Sequence, residues 1–464
     1  MTEEEKRIAE AAAALASPDP MARRQGAEAL LSEQIDDATA KKLTEALADE
    51  DTGVRDAASL TLIYNENPSI SELVVPKISS EDIAVRNLAG DVLVKRGSAS
   101  VEALVNYLDK GDDDDRKFVI DVLALIGDAS AKDEVRRILA ETTDDNVALA
   151  SVEALGAMRD EEAVPALIEA FDKNELFGPT VVDSLGKIGS PKALPLILER
   201  FDHADTLTQY SMLESLGELG DEETVPFLIE RLKQYQPPLT WPVIYSLNKL
   251  KDRFNVDTPS DERLKKAVLA AFDEAEPKYK KAATALLLHF PGDESLDACL
   301  NNYGFDPEID SNIAVIFTNQ AEGFFRRVTR FISDDQKNLK TLLDAMKDMI
   351  GFDNGKTLRE LDDVTLHALC EKLSGCFDHP NEEVRRSAME LLFYVNPDTA
   401  FFFIDTLAAD KNIWNKLRLV DILERIDSEQ SNEALKLLME DEDAMLRQKA
   451  GAVLEQRGAT DAGL

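Results

Sequence analysis

The chain has 464 residues, 44% of them hydrophobic and 31% charged, enough apolar material for a core beneath a large solvated surface. Its 90 acidic residues against 52 basic ones give a net charge of -38, a field that opposes nucleic acid and anionic membranes, both of which are held through Lys and Arg. A basic protein partner, or solubility and a salty habitat alone, fits that charge.

The N-terminus, MTEEEKRIAEAAAALASPDP, places acid before an alanine stretch, whereas a secretory signal needs a basic start and a longer apolar core. No run approaches the ~18 apolar residues of a spanning helix. Cys299, Cys370 and Cys376 form no disulfide framework, so the expected setting is reducing and cytoplasmic.

From there one phrase recurs. Leu31, Leu62, Leu93, Leu123, Leu155, Leu185, Leu216 and Leu247 follow one another at steps of 30 to 32 residues. Arg24, Arg55, Arg86 and Arg116 stand seven residues before the leucine, and Ala27, Ala58 and Ala89 four before it. The register returns as Leu392, Leu423 and Leu454, preceded by Arg385, Lys416 and Arg447. Such a period marks a stacked-repeat architecture. Within each unit apolar residues recur at three and four, so two helices are expected and strands are not. The first helix begins at Pro165, Pro195 or Pro226, where the missing N–H has no intrahelical partner. The second ends near Gly127, Gly189 or Gly220, the residue suited to a left-handed stop.

The first-helix V-P-x-L-I, the D-x-x-V-R-x-x-A-x-x-x-L of Asp51-Thr52-Gly53-Val54-Arg55 and beyond, and the closing L-G-x-I/L-G resemble the HEAT repeat, in particular the phycobilisome-lyase HEAT-like type. The resemblance implies an all-α fold, a right-handed α-α superhelix or HEAT-like solenoid, whose second helices line a concave face. It also implies that Arg24, Arg55, Arg86, Arg116, Arg385 and Arg447 join turn aspartates in a structural ladder. The expected organisation is about eight N-terminal repeats over 1–255, an irregular helical middle segment over 256–360, and about three C-terminal repeats over 361–464. The middle carries helical stretches without the register, either as degenerate repeats or as an insert. Its basic-aromatic run Phe324–Phe331 reads as an amphipathic helix with a role distinct from the repeats.

Two residues before the register leucine stand Asp91, Asp121, Glu153, Asp183 and Glu214, in five successive repeats, with Glu390 and Asp421 later. That position points away from the core side of the helix. With stacked helices ~8–10 Å apart, the row suits a partner helix carrying Lys or Arg every heptad, about 10.5 Å apart. The plainer reading is a solvated acidic face. Tyr210, Trp241 and Tyr245 bring aromatics to the same side, either as interface anchors or as cover for a helix start distorted by Pro237, Pro238 and Pro242.

His367, Cys370, Cys376 and His379 form H-x2-C-x5-C-x2-H, a weak zinc candidate. The five-residue gap fits no common finger, and Cys370 shares a face with Leu366, Leu369 and Leu373, so buried thiols and a turn histidine are the alternative. No G-x-S-x-G, Walker loop or H-E-x-x-H occurs. The reading is a non-catalytic scaffold or adaptor for a basic protein or peptide, possessing no cofactor and binding neither nucleic acid nor membrane. The alternative is a bilin lyase or tetrapyrrole-handling chaperone-like protein.

Overall fold

In a computed structural model, residues 2–232, 234, 238–255 and 257–461 are described, side chains through 458; Pro237 lies outside them. The protein is all-α, built as a solenoid of helix pairs, and no helix among the described residues is long and apolar enough to cross a membrane. It divides into two units, residues 1–228 with 252–255 and residues 229–251 with 256–464.

In the first unit the second helices are Pro20–Ala29, Thr52–Tyr64, Ile83–Arg96, Asp113–Ile126, Asp145–Ala157, Gly178–Ile188 and Thr206–Leu219, each packed on the next. Their starts are written in the turn aspartates. Asp51, Asp82, Asp112, Asp144 and Asp205 each accept a hydrogen bond from an otherwise orphaned first-turn N–H. Two of their ends follow the expected stop, with Gly127 and Gly189 left-handed at φ 69° and 72°. Gly220 departs from it, closing Thr206–Leu219 in an extended conformation at φ -65°, ψ 163°.

The register leucines from Leu62 to Leu216 are fully buried, as are Leu392 and Leu423. Burying one such side chain contributes about 2 kcal/mol, and no single pair of helices could cover it alone. The glycine after the leucine sets how close neighbours come. A Cβ on Gly156 would lie 2.7 Å from the Ser184 Cβ, and one on Gly186 would lie 2.7 Å from the Ser215 Oγ. That serine position also ties the repeats, since Ser215 Oγ donates to the Val182 carbonyl at 3.0 Å and Thr61 Oγ to that of Ala27 at 2.8 Å.

In the first repeat the structural register falls one residue early. Leu30 is fully buried while Leu31 is half-buried, and Arg23 rather than Arg24 meets the next turn, bidentate on Asp49 at 2.7 and 2.8 Å. Arg24 is exposed and pairs with Glu28 on its own helix. Arg385 repeats the arrangement on Asp410 at 2.8 and 2.9 Å, and Lys416 on Asp441 at 2.7 Å. Arg55, Arg116 and Arg447 hold turn carbonyls instead, those of Asp49, Leu108, and Asp441 with Glu442.

A second set of arginines went unread in the sequence. Arg96 donates to the carbonyls of Leu62, Asn65 and Asn67 at 2.6 to 3.1 Å, and Arg457 to those of Leu423, Glu424 and Ile426 at 2.6 to 3.1 Å. Each stands three residues after a register leucine and caps the C-terminus of the preceding second helix, where a cation is favoured and carbonyls lack partners.

Residues 256–360 keep the alternation of paired helices. Glu262–Glu274 packs on Pro277–Leu287, Asp293–Asn302 on Pro307–Asn319, and Ala321–Val328 on Leu339–Phe352. Buried Tyr279, Ala283 and Leu287 keep the spacing of Val54, Ala58 and Leu62, and Ile309, Ile313 and Phe317 keep it again 30 residues later. The basic-aromatic run is absorbed here. Phe324, Phe325 and Val328 are core residues, Arg327 pairs with Asp297 and Asp293, and Arg326 with Glu322.

The turn ladder predicts a pH-dependent stability. Burial pushes the Asp410 carboxyl up, but Arg385, the Asn412 N–H and Asn415 outweigh it and hold it below its ordinary value. A depressed folded pKa stabilises above the unfolded value near 3.9 and is lost as pH falls through the folded one. Asp410→Asn should therefore cost about 3 kcal/mol at pH 7. In urea titrations its difference from wild type should begin to shrink below about pH 4, the unfolded value, and should close only once pH falls through the lower folded one, where Asp410 is itself protonated.

Candidate functional site

The helices that carry the acidic row are held by their leucine faces, so the position two residues earlier is turned outward. Asp91, Glu153 and Asp183 are exposed, and Asp121 and Glu214 half-buried. The row is not bare. Lys95 lies 2.8 Å from Asp91, Lys117 2.6 Å from Asp121 and Lys187 2.7 Å from Asp183, all four residues apart on one helix. Such exposed pairs contribute about 0.3–0.5 kcal/mol each, so an incoming cation displaces the lysine at little cost. Glu153 has no ion pair among the described residues and is the row's most available charge. Lys95 and Lys187, two residues after their leucines, were legible as i,i+4 partners of Asp91 and Asp183.

The C-terminal members behave differently. Glu390 is largely buried between Lys347, at 3.1 Å, and Arg418, and Asp421 is paired with Lys449 of the next second helix. These carboxylates tie repeats together within the second unit. In the irregular middle the row lapses into Ala285 and Val315, two residues before Leu287 and Phe317.

Tyr210 is half-buried in the first unit. Trp241 and Tyr245, in the second, both pack on the fully buried Tyr279, each with ring centroids 6.1 Å away. Lys278 lies over both tyrosine rings and Lys249 over Tyr245. The two aromatics are therefore half-buried parts of an intramolecular cluster with one side left to solvent.

The histidine–cysteine window does not converge. His367 is exposed on Asp363–Gly375, while Cys370 and Cys376 are buried, the latter donating its thiol to the Lys372 carbonyl at 3.5 Å. His379 Nδ1 instead accepts the Asn381 N–H at 3.1 Å in the turn. Among the described residues no three His, Cys, Asp or Glu side chains are placed to hold a metal ion. Burial pushes the Cys299 thiol up to about 12 and that of Cys376 to about 11, leaving both protonated and unreactive at neutral pH.

Comparison with known proteins agrees with this architecture. Residues 101–178 match the HEAT repeats model, and residues 208–234 the PBS lyase HEAT-like repeat. No curated protein matches the chain. Among solved structures, Kap95p in its complex with RanGDP is similar at 14% identity, over 97% of this chain and 72% of that one, with a TM-score of 0.51. Importin beta matches at 10% identity over 98% and 75%, TM-score 0.46. The complex of CpcE and CpcF of phycocyanin lyase from Nostoc sp. PCC7120 matches at 22% over 52% and 94%, TM-score 0.35. HEAT repeats are thus present in the chain at residues 101–178, with a repeat of the phycobilisome-lyase HEAT-like type at residues 208–234.

Proposed function

We propose that the protein is a non-catalytic scaffold or adaptor whose first unit binds a basic segment of a partner protein along its second helices. The observation that carries this reading is the row Asp91, Asp121, Glu153, Asp183 and Glu214, one acid per repeat at one outward position. Helices stacked ~8–10 Å apart meet a helical partner with Lys or Arg each heptad nearly in register. Tyr210 supplies an adjacent aromatic contact. Trp241 and Tyr245 are assigned a separate contact on the second unit.

A second reading follows from the repeat type at residues 208–234, namely handling of an open-chain tetrapyrrole. Mixing the protein with a bilin and an apo-acceptor separates the two. A spectral change or covalent transfer favours the second, and inert spectra favour the scaffold.

For the scaffold reading the probe is a fluorescein-labelled helical peptide bearing Lys at heptad spacing. Charges at a solvated rim set association rate and salt sensitivity, whereas buried aromatics set dissociation. Glu153→Lys with Asp183→Lys should slow association about tenfold and flatten its dependence on salt. Unchanged association by a folded double variant would contradict the reading.

Trp241→Ala is read beside it against whichever natural partner an affinity capture at low salt recovers. As a contact residue its loss should speed dissociation by about 30-fold, near 2 kcal/mol. A lowered melting temperature with unchanged dissociation would return Trp241 to packing alone.

A further inference from the structure

We infer that the second unit carries a binding groove of opposite sign, which takes an extended acidic–apolar peptide of a partner protein. The groove crosses Leu339–Phe352, Glu382–Val395 and Ile413–Glu424, three helices packed in succession. Two adjoining cavities of about 490 and 170 Å³ form it and share Glu390, Tyr394 and Arg418 in their walls. The larger volume lies within the range of about 300–1,000 Å³ usual for ligand sites, and the smaller extends it.

Its charge runs against the molecule. Four cationic side chains, Lys347, Arg359, Arg418 and Arg425, line it with a single carboxylate, Glu390. Glu390 is already engaged by Lys347 and Arg418, and Lys347 also holds Asp344. Arg359 and Arg425 are exposed at opposite ends and make no ion pair among the described residues. Arg359 only donates to the Asn354 carbonyl at 3.0 Å. In a chain with 90 acidic residues, two guanidiniums left without a carboxylate beside one groove mark where an external anion is favoured.

The floor is apolar. Ile350 and Leu358 line one cavity and Phe393, Ile422 and Ile426 the other, with Tyr394 between them 63% exposed. Three helices ~8–10 Å apart span about 20 Å, the reach of about six extended residues. In an extended chain successive side chains alternate between faces, so apolar residues would enter the floor while carboxylates meet Arg359 and Arg425. A fully anionic polymer leaves that floor unused.

The inference stands apart from the acidic row, and the two fail separately. Fluorescence anisotropy of a labelled peptide alternating Glu with Leu and Phe, about six residues long, tests it on the full chain against single-stranded RNA of similar length. Saturable peptide binding is expected, weakened at least about tenfold by Arg359→Glu with Arg425→Glu and also by Tyr394→Ala. Glu153→Lys with Asp183→Lys should leave it unchanged. Both arginines are exposed and unpaired, so the charge variants should keep the wild-type melting temperature, and each single variant provides a check. No binding by the wild-type protein, equal binding by the folded double variant, or RNA binding as tight as the peptide's would each overturn the inference.

Discussion

Burial of the register leucines between neighbouring helices holds the stack, and the donation of arginine N–H groups to backbone carbonyls finishes several of its helix ends. A helix of some three turns leaves four C-terminal carbonyls without partners, and a chain of short helices multiplies that deficit at every turn. Arg96 and Arg457 close the preceding second helix, while Arg55, Arg116 and Arg447 close their own turns. An unmet buried carbonyl costs about 1–3 kcal/mol, so each capping guanidinium secures a helix end and the boundary between repeats together.

This use of cations shapes the surface that remains. Arg23, Arg385 and Lys416 are consumed by turn aspartates, and Arg327 by Asp293 and Asp297. Ninety acids against 52 bases leave an acidic excess whatever the pairing, and pairing decides where it lies. On the first unit it appears as one acid per repeat with weakly held lysines. On the second, Glu390 and Asp421 are drawn into pairs, and Arg359 and Arg425 beside the groove have no ion pair among the described residues. Opposite surfaces thus arise from one repeat plan by changing which side of an ion pair is in excess.

The fold was legible because a leucine every 30 to 32 residues records contacts with immediate neighbours, and nearest-neighbour packing is all a solenoid needs. Leu31 misled by one place because Leu30 beside it is equally apolar, and only the Arg23–Asp49 pair separates the two frames. The middle lost its signature when Tyr279, Ile309 and Phe317 took over the core, which preserved spacing and burial but changed residue type. The acidic row was readable for the same reason as the leucines, being periodic. Its lysine partners, four residues away, were in reach of the same reasoning. The groove around Tyr394 was not, since Arg359 and Arg425 are 66 residues apart and carry no period.

Hydrogen exchange by mass spectrometry, with and without the lysine-heptad peptide, tests the central claim most directly. Ligand contact slows opening where it binds. The account predicts added protection centred on Asp113–Ile126, Asp145–Ala157, Gly178–Ile188 and Thr206–Leu219, abolished in the Glu153→Lys, Asp183→Lys variant. Protection confined to residues 339–426, or the same protection in that variant, would contradict it.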